Sequence, residues 1–151
     1  MVTQKIISVR DVEPEDLPII HEIAEESFKD PYPLSLLKHI YETKPEGFMA
    51  AEIGGEIVGY LIGLVRWSDV GHILAIAVDE LHREKGVGSA LLINAIDRLK
   101  NNGANRIRLE VRVSNEIAQE FYGKIGFKPR KVVPAYYSDG EDAVSMEYKC
   151  K

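Results

Sequence analysis

The sequence predicts a mixed α/β fold, in which helices pack on a sheet. Some segments carry apolar residues at every third or fourth position, which is the period of an amphipathic helix. Other segments are continuously apolar or alternate apolar with polar residues, which is typical of strands. Glycines and prolines separate the segments, and the resulting order of elements is β-α-α-β-β-β-α-β-α-β-β.

The first third of the chain is predicted to hold one strand and two helices. The strand covers residues 5–10, and the first helix runs from Pro14 to about Phe28. One apolar stripe identifies that helix, formed by Leu17, Ile20, Ile23, Ala24 and Phe28. The prolines of the segment KDPYP interrupt it, because proline cannot continue a helix, and a short second helix follows over residues 34–42.

The middle of the chain predicts a hairpin, a buried strand and a long helix. The hairpin covers residues 47–67 around the pair Gly54–Gly55, which suits a tight turn with positive φ. Residues 71–79 are almost continuously apolar, as in a central strand that is buried on both faces. A glycine-rich turn then leads into a helix over residues 88–102, which ends at Gly103.

The last third predicts a strand, a helix and a second hairpin. Residues 105–113 alternate strictly, and their inward face is predicted to consist of Ile107, Leu109, Val111 and Val113. Asn115 opens a helix that places Tyr122 one step round from its core stripe. That stripe is predicted to consist of Ile117, Phe121 and Ile125. Residues 128–149 form the hairpin, which turns at the segment DGED.

Composition indicates a globular chain of one domain, residues 1–151. Apolar residues make up 45% and charged residues 28%, and the length is sufficient to bury a core. The formal net charge is −5 and no Lys/Arg block exceeds two residues, which argues against nucleic-acid binding. The single cysteine, Cys150, excludes an internal disulfide framework. Neither a membrane span nor a secretory leader is evident, so we expect no membrane partner and a cytoplasmic location.

The turn after the central strand combines basic residues with two glycines. A strand, a turn and a helix in that order present unpaired backbone N–H groups, which an anion could approach at Gly86 and Gly88. Arg83 and Lys85 lie nearby, so the pattern favours a phosphate site, although a simple β–α turn that tolerates glycine also fits. The segment lacks the lysine of a nucleotide P-loop and the third glycine of a dinucleotide site. It matches the pattern [QR]xxGx[GA] instead.

Three segments together resemble one enzyme family. They are AIAVDELHREKGVGSALL, LEVRVSNEIAQEFYGKIGF and YYSDGEDAVSMEYK. The first resembles the acetyl-CoA pyrophosphate loop of the GNAT N-acetyltransferases. The other two resemble, more specifically, the N-terminal protein acetyltransferases of the RimI type and the archaeal relatives of the NatA catalytic subunit. The similarity runs from about residue 5 to residue 149, and it implies the GNAT fold with acetyl-CoA as acyl donor and CoA as product.

The resemblance also implies catalytic residues for direct transfer of acetyl to an amine. Glu110 matches the general base and Tyr122 the general acid that protonates the departing thiolate. His72 is an additional candidate base, since an imidazole pKa of about 6.5 suits that task. The residues alone leave another interpretation open for each position. Glu110 fits an Arg-Glu-Arg ladder on one strand face, Tyr122 fits a half-buried core tyrosine, and His72 fits a histidine that is hydrogen-bonded to solvent.

The cofactor site implied by the resemblance consists of the central strand, the glycine-rich turn and the helix that Asn115 opens. If the central strand separates from its parallel neighbour, free backbone groups can pair with the pantetheine amides. The predicted cofactor-binding residues are Ile76, Ala77, Val78, Arg83, Glu84, Lys85, Gly86, Val87, Gly88, Ser89, Asn115 and Tyr122. Asn115 also fits a plain helix cap, and the two roles are compatible.

The substrate is expected to enter between the loop after the first helix and the last hairpin. The predicted substrate-binding residues are Phe28, Asp30, Tyr32, Tyr136 and Tyr137, for which ordinary packing is the alternative. Asp30 aligns with a glutamate of the NatA-like relatives, so the preferred first residue of the peptide stays open. Small first residues such as Ser or Ala fit, and Met followed by an acidic residue is an alternative.

The leading hypothesis is therefore an acetyl-CoA-dependent N-α-acetyltransferase that acts on protein N-termini. One alternative keeps the fold and changes the acceptor to a lysine side chain or a small-molecule amine. A second alternative is a non-catalytic acyl-CoA-binding domain. A third is a nucleotide-binding regulator, which is disfavoured because the chain lacks the P-loop lysine. The remaining histidines form no ligand spacing, so we expect no metal. Association with a ribosome or an auxiliary subunit and the oligomeric state stay open.

Overall fold

A computed structural model describes residues 6–150. Its helices and strands are β1 (Ile7–Asp11), α1 (Leu17–Ser27), α2 (Leu34–Thr43), β2 (Phe48–Ile53), β3 (Glu56–Arg66), β4 (Val70–Val78), α3 (Val87–Asn101), β5 (Arg106–Arg112), α4 (Glu116–Ile125), β6 (Lys128–Val133) and β7 (Ala143–Lys149). The predicted order of elements is confirmed. Lys5, which the prediction placed in the first strand, lies outside the described residues.

The strands form one mixed sheet in the order β1-β2-β3-β4-β5-β7-β6. All neighbouring strands are antiparallel except β4 and β5, which are parallel. The parallel pairing covers only the starts of the two strands and ends at the pair His72 and Arg108. Beyond that pair the two strands separate, so the expected opening in the middle of the sheet is confirmed.

Apolar side chains form one core on each face of the sheet. One cluster joins α3 and α4 to β2, β3, β4, β5 and β7, and Leu91, Leu92, Leu99 and Ile107 are fully buried there. The other cluster joins α1 and α2 to β2, β3 and β4, around Ile20, Leu37 and Phe48. Each fully buried leucine or isoleucine contributes about 1.5–3 kcal/mol relative to an exposed one, so the helices hold the sheet from both sides.

The predicted turn residues adopt the expected backbone. Gly54 and Gly55 have φ of +60° and +83° in the β2–β3 hairpin, and Gly103 has φ of +103° after α3. Because other residues rarely adopt this left-handed region, these glycines fix where the hairpin turns and where the helix ends.

Four predicted side-chain positions are wrong. Phe28 is 39% exposed, because α1 ends one residue before it, and Val113 is 42% exposed, because it lies beyond the end of β5. Ile117 is 84% exposed, whereas Tyr122, predicted to lie beside the stripe, is buried. The face of α4 that packs on the sheet follows an i, i+3, i+4, i+7 pattern and consists of Ala118, Phe121, Tyr122 and Ile125. The predicted stripe rested on four-residue steps alone, which drift off a face of period 3.6.

None of the helices in residues 6–150 combines the length and the apolar character that crossing a membrane requires.

Candidate active site

A buried histidine–glutamate pair lies where β4 and β5 separate. The His72 Nε2 atom is 2.7 Å from Glu110 Oε1. His72 pairs in register with Arg108, and Glu110 follows two residues later on the same face of β5. The side chains of His72 and Glu110 are 5% and 9% exposed. The fold therefore brings together two of the residues that the resemblance implied for catalysis.

Two further side chains contact the Glu110 carboxylate. The Tyr136 hydroxyl donates a hydrogen bond to Glu110 Oε1 at 3.3 Å. Arg108 Nε lies 3.4 Å from Glu110 Oε2. Tyr136 comes from the β6–β7 loop, so the carboxylate is held by residues from β4, β5 and that loop. The alternation of the strand predicted Arg108 on the same face as Glu110, in an Arg-Glu-Arg ladder, but it was assigned no role in the site.

Glu110 is a carboxylate at neutral pH. Burial is the largest single influence and raises its pKa. The hydrogen bond and charge of His72, the charge of Arg108 and the hydrogen bond from Tyr136 together outweigh burial, so the pKa of Glu110 lies below its ordinary value. The Nδ1 atom of His72 is buried, and no atom within residues 6–150 forms a hydrogen bond with it.

Tyr122 projects from α4 into the apolar core. Its ring centroid lies 5.3 Å from that of Phe121 and 6.0 Å from that of Phe127. Burial, with a smaller contribution from Tyr137, raises the pKa of Tyr122 well above its ordinary value. The hydroxyl is therefore protonated at neutral pH and is a weaker acid than that of an exposed tyrosine.

The glycine-rich turn combines a left-handed glycine with the start of a helix. Gly86 has φ of +88° and immediately precedes α3. A Cβ atom at Gly86 would meet only the Ile7 side chain, at 3.8 Å, whereas one at Gly88 would lie 3.3 Å from the Phe121 ring. A glycine is therefore favoured at position 86 by the left-handed backbone conformation. At position 88 a glycine is favoured because α3 packs closely on α4. Glu84 also has positive φ, at 63°.

Arg83 stabilises the turn. Its Nε atom donates to the backbone oxygen of Val78 at 3.1 Å, and a terminal nitrogen lies 3.4 Å from Ser27 Oγ. The guanidinium thus ties the turn to the end of β4 and to α1. Lys85 is exposed, and Val87 and Ser89 lie in the first turn of α3.

The backbone of β4 beyond His72 faces the opening between the strands. Residues Ile76, Ala77 and Val78 pair with β3 on one side and lie past the last β4–β5 pair on the other. Asn115 caps α4, since its side chain accepts a hydrogen bond from the backbone of Ala118 at 3.1 Å. The predicted helix cap is confirmed.

The two loops between which the substrate was expected to enter contact each other. Ser138 donates a hydrogen bond to Asp30, and Lys29 Nζ lies 3.2 Å from Asp139. Thus the loop between α1 and α2 is joined to the β6–β7 loop near Tyr136 and Tyr137, whose ring centroids are 5.0 Å apart.

An arginine of the same strand face, whose contacts the sequence did not predict, holds the β6–β7 loop. Arg112 contacts Asp139 at 2.9 Å and Glu141 at 2.8 Å, and its guanidinium carbon lies 4.1 Å from the centre of the Tyr137 ring. These partners are far apart in sequence, so no local pattern indicated them. Across residues 6–150, no group of three or more His, Cys, Asp or Glu side chains is arranged to hold a metal ion.

Comparison with known proteins decides the family. The acetyltransferase (GNAT) family matches residues 17–127, which is most of the chain. The chain belongs to the GNAT acetyltransferase family. As a GNAT enzyme it is an acetyl-CoA-dependent acetyltransferase, which confirms the predicted fold class and cofactor.

Individual relatives cover most of this GNAT chain. It is 43% identical over 139 residues to an uncharacterized N-acetyltransferase of Methanocaldococcus jannaschii, covering 91% of this chain and 88% of the relative. It is 39% identical over 122 residues to a protein of Sulfurisphaera tokodaii named N-alpha-acetyltransferase, covering 73% and 72%. The crystal structure of Ard1 from Thermoplasma volcanium superposes with a TM-score of 0.91 at 33% identity, covering 96% of this chain and 98% of Ard1.

Proposed function

We propose that this GNAT enzyme transfers acetyl from acetyl-CoA to the α-amine at the N-terminus of proteins and peptides. The observation that carries the proposal is the His72–Glu110 pair, which lies at the opening of the sheet and is bonded to Tyr136 of an acceptor-side loop. The similarity to an N-alpha-acetyltransferase of Sulfurisphaera tokodaii supports the same acceptor. An α-amine, with a pKa of about 7.7–8.0, needs much less help to lose its proton than a lysine at about 10.4.

The chain holds acetyl-CoA, in this proposal, along β4 and at the start of α3. The opened edge over Ile76, Ala77 and Val78 binds the pantetheine amides, and the backbone N–H groups of residues 86–89 bind the diphosphate. The turn fits an anion because only the flexible end of the Ile7 side chain lies near the place of a Gly86 Cβ atom. Acetyl-CoA, when bound, supplies the acetyl group as a thioester.

Glu110 and His72 act together as the general base. A carboxylate of lowered pKa is a weak base by itself, but the imidazole at 2.7 Å can share the proton that leaves the amine. The pair takes that proton directly or through one water molecule, which leaves the amine neutral and able to attack. Arg108 and Tyr136 hold the carboxylate in position.

Tyr122 acts as the general acid in the same proposal. A tyrosine hydroxyl is protonated at neutral pH even at its ordinary pKa of about 10, and the raised pKa of Tyr122 makes it a weaker acid, so it first stabilises the departing thiolate of CoA by donating a hydrogen bond and transfers the proton along that bond. A hydroxyl in this apolar surrounding interacts strongly with developing negative charge, because little water competes with it.

The joined acceptor-side loops form the entrance for the peptide. Phe28, Asp30, Tyr32, Tyr136 and Tyr137 stay the proposed substrate-binding residues. Tyr32 is half-buried; burial is the main influence that raises its pKa, and the charges of Arg66 and Glu110 also act on it. Tyr32 also packs against the apolar cluster of α1 and α2, so its proposed role in binding the substrate is combined with a structural one. A first residue of Ser or Ala stays the expected preference, with Met as the alternative, and the cytoplasmic location stays a prediction.

A peptide-library assay tests the proposal. Peptides that differ in the first residue and carry an internal lysine are incubated with acetyl-CoA, and mass spectrometry locates the acetyl group. We expect acetylation of the α-amine. Acetylation of lysine or of small amines alone would show that the acceptor is a lysine side chain or a small-molecule amine. Absence of CoA release with every acceptor would favour a non-catalytic binding domain.

A further inference from the structure

Within residues 6–150, no helix covers β5, β7 and β6 on one face of the sheet. The helices α1 and α2 pack on β2, β3 and β4, and their apolar cluster contains no residue of β5, β6 or β7 within the described part of the chain. The inward side of β5, with Ile107, Leu109 and Val111, packs on the opposite face. Arg106, Arg108 and Glu110 therefore project from the face on which the acceptor loops lie.

This uncovered face is rich in cations. Lys149 pairs in register with Arg106, while Lys128 and Lys131 pair with β7 residues that lie opposite Arg108 and Glu110. We name the set the basic face, which consists of Arg106, Arg108, Lys128, Arg130, Lys131 and Lys149. A groove in it is lined by Asn105, Arg106, Arg130, Glu147 and Lys149. Within residues 6–150 the strand carboxylates on this face are Glu110 and Glu147, while Asp139 and Glu141 pair with Arg112 beside the β6–β7 loop. The strand cations therefore outnumber the strand carboxylates, and the face is positive in a chain of net charge −5.

The basic face adjoins the proposed peptide site, which lies between Glu110 and the joined acceptor-side loops. Arg108 belongs to both, since its Nε atom lies 3.4 Å from Glu110 Oε2. Trp67, in the β3–β4 turn, is 63% exposed and extends the face beyond Arg108. The guanidinium carbons of Arg66 and Arg108 lie 5.7 Å and 5.1 Å from the centre of the Trp67 ring. The guanidinium groups of Arg66 and Arg108 thus lie over the exposed Trp67 ring beside the proposed peptide site.

A bound peptide can reach this face within a few residues. Arg106 precedes Glu110 by four positions on one strand, which corresponds to about 13 Å at about 3.3 Å per residue. An extended peptide advances by a similar length per residue. If the first residue lies at Glu110, residues from about the fifth onward lie beside Arg106, Arg130 and Lys149.

We propose that the basic face binds an acidic segment of the substrate polypeptide, a few residues after the N-terminus that is acetylated. The inference rests on the proposed N-α-acetyltransferase function and adds a substrate class to it. The face prefers a short acidic segment to a nucleic acid because the overall charge of −5 repels a long polyanion that extends beyond the basic face more than a short segment that stays on it.

Three peptides with the same first four residues, beginning with Ser, test the inference. Their positions five to eight are all Glu, all Gln or all Lys. We expect kcat/KM for the Glu peptide to exceed that for the Gln peptide by about tenfold, because several exposed charge pairs each contribute a little. The difference lies mainly in KM and shrinks as salt rises from low to high concentration.

A double variant, Arg130→Glu with Lys149→Glu, identifies the surface. Both side chains are exposed, and neither forms an ion pair within residues 6–150. We expect the variant to lose the preference for the Glu peptide while it acetylates a Ser-first tripeptide at the wild-type rate. The control that reverses the same number of charges is Lys100→Glu with Lys124→Glu, two exposed lysines on α3 and α4 on the opposite face, which should keep the preference.

Three results would overturn the inference. Equal kcat/KM for the Glu and Gln peptides in the wild-type enzyme would show that the face does not bind acidic segments. An RNA oligonucleotide that binds the wild type and not the double variant, with no charge preference among peptides, would assign the face to nucleic acid. Absence of α-amine acetylation of every peptide, the tripeptide included, would refute the proposed function itself and the inference with it.

Discussion

At the scale of single residues, the site depends on one carboxylate whose charge is stabilised by three neighbours. Glu110 contacts His72, Arg108 and Tyr136, and their combined influence keeps its pKa below the ordinary value despite burial. Burial without partners would have raised the pKa and left the group neutral. The carboxylate can therefore receive a proton in concert with His72 during each reaction.

Glu110→Gln tests this role. The amide keeps the size of the side chain and loses the charge, so we expect kcat to fall by about 10²–10⁴-fold, as for loss of a general base. The affinity for acetyl-CoA should change little, because the proposed cofactor contacts lie on β4 and α3. Steady-state kinetics and calorimetry measure the two quantities, and a loss of cofactor affinity with kcat preserved at saturation would contradict the assignment.

At the scale of elements, an ion pair connects β1 to the turn that begins α1. Arg10 donates two hydrogen bonds to Asp16, at 2.8 Å and 3.1 Å, and the backbone of Glu13 donates a third. The hydrogen bond from Arg10 is the largest influence on Asp16 and lowers its pKa, although burial opposes it. A buried carboxylate at this junction is stable because its acceptor positions are satisfied.

Asp16→Asn should lower the free energy of unfolding by about 1–3 kcal/mol at pH 7, since hydrogen bonds to a charged group are lost. Because the pKa of Asp16 is lower in the folded state, its stabilisation is full above the unfolded value near 3.9 and is lost as the pH falls through the folded value. Urea unfolding of both proteins from pH 7 to pH 2 measures this. Asp97→Asn, at an exposed position on α3, is the control, and a difference independent of pH would contradict the account.

The turn before α3 is the second element with a specific test. Gly86→Val should weaken acetyl-CoA binding, because φ of +88° is strained for a residue with a branched Cβ atom. Gly55→Val is the matched control, since Gly55 has φ of +83° and open space in the β2–β3 hairpin. Both variants should lose similar stability in thermal unfolding, whereas only the first should raise the dissociation constant. Equal dissociation constants for acetyl-CoA in the two variants would show that the turn does not bind the cofactor.

Local patterns predicted most elements, and long-range contacts account for what they missed. The alternation of Ile107, Leu109 and Val111 identified both the strand and its buried face. The exposed position of Ile117 was not predicted, because each four-residue step of the predicted stripe drifts by about 40° around a helix of period 3.6. The contacts of Arg112 with Asp139 and Glu141 join residues far apart in sequence, so they follow from the topology of the sheet and from no local motif.

At the scale of the whole molecule, the sheet separates two entrances. The opening between β4 and β5 and the start of α3 form the proposed acetyl-CoA side, while the joined loops form the proposed peptide side. The His72–Glu110 pair lies where the strands separate. This arrangement allows both substrates to be bound at once, as direct transfer requires.

Asp139→Asn tests the joined loops. The amide loses its charge attraction to Lys29 and Arg112, so the peptide entrance becomes less ordered. We expect KM for a Ser-first peptide to rise about two- to fivefold, as for loss of exposed ion pairs, while KM for acetyl-CoA stays constant. Asp97→Asn again serves as the control. A rise in the KM for acetyl-CoA alone would contradict the proposed division between the two sides.

The most direct test of the central claim is a crystal structure of the enzyme with CoA and a Ser-first peptide, a pair that cannot react. The account predicts the diphosphate against the backbone N–H groups of residues 86–89. It also predicts the peptide α-nitrogen at about 3 Å from Glu110 or His72, or one water molecule away. A peptide α-amine bound elsewhere, or a diphosphate away from the turn, would contradict it.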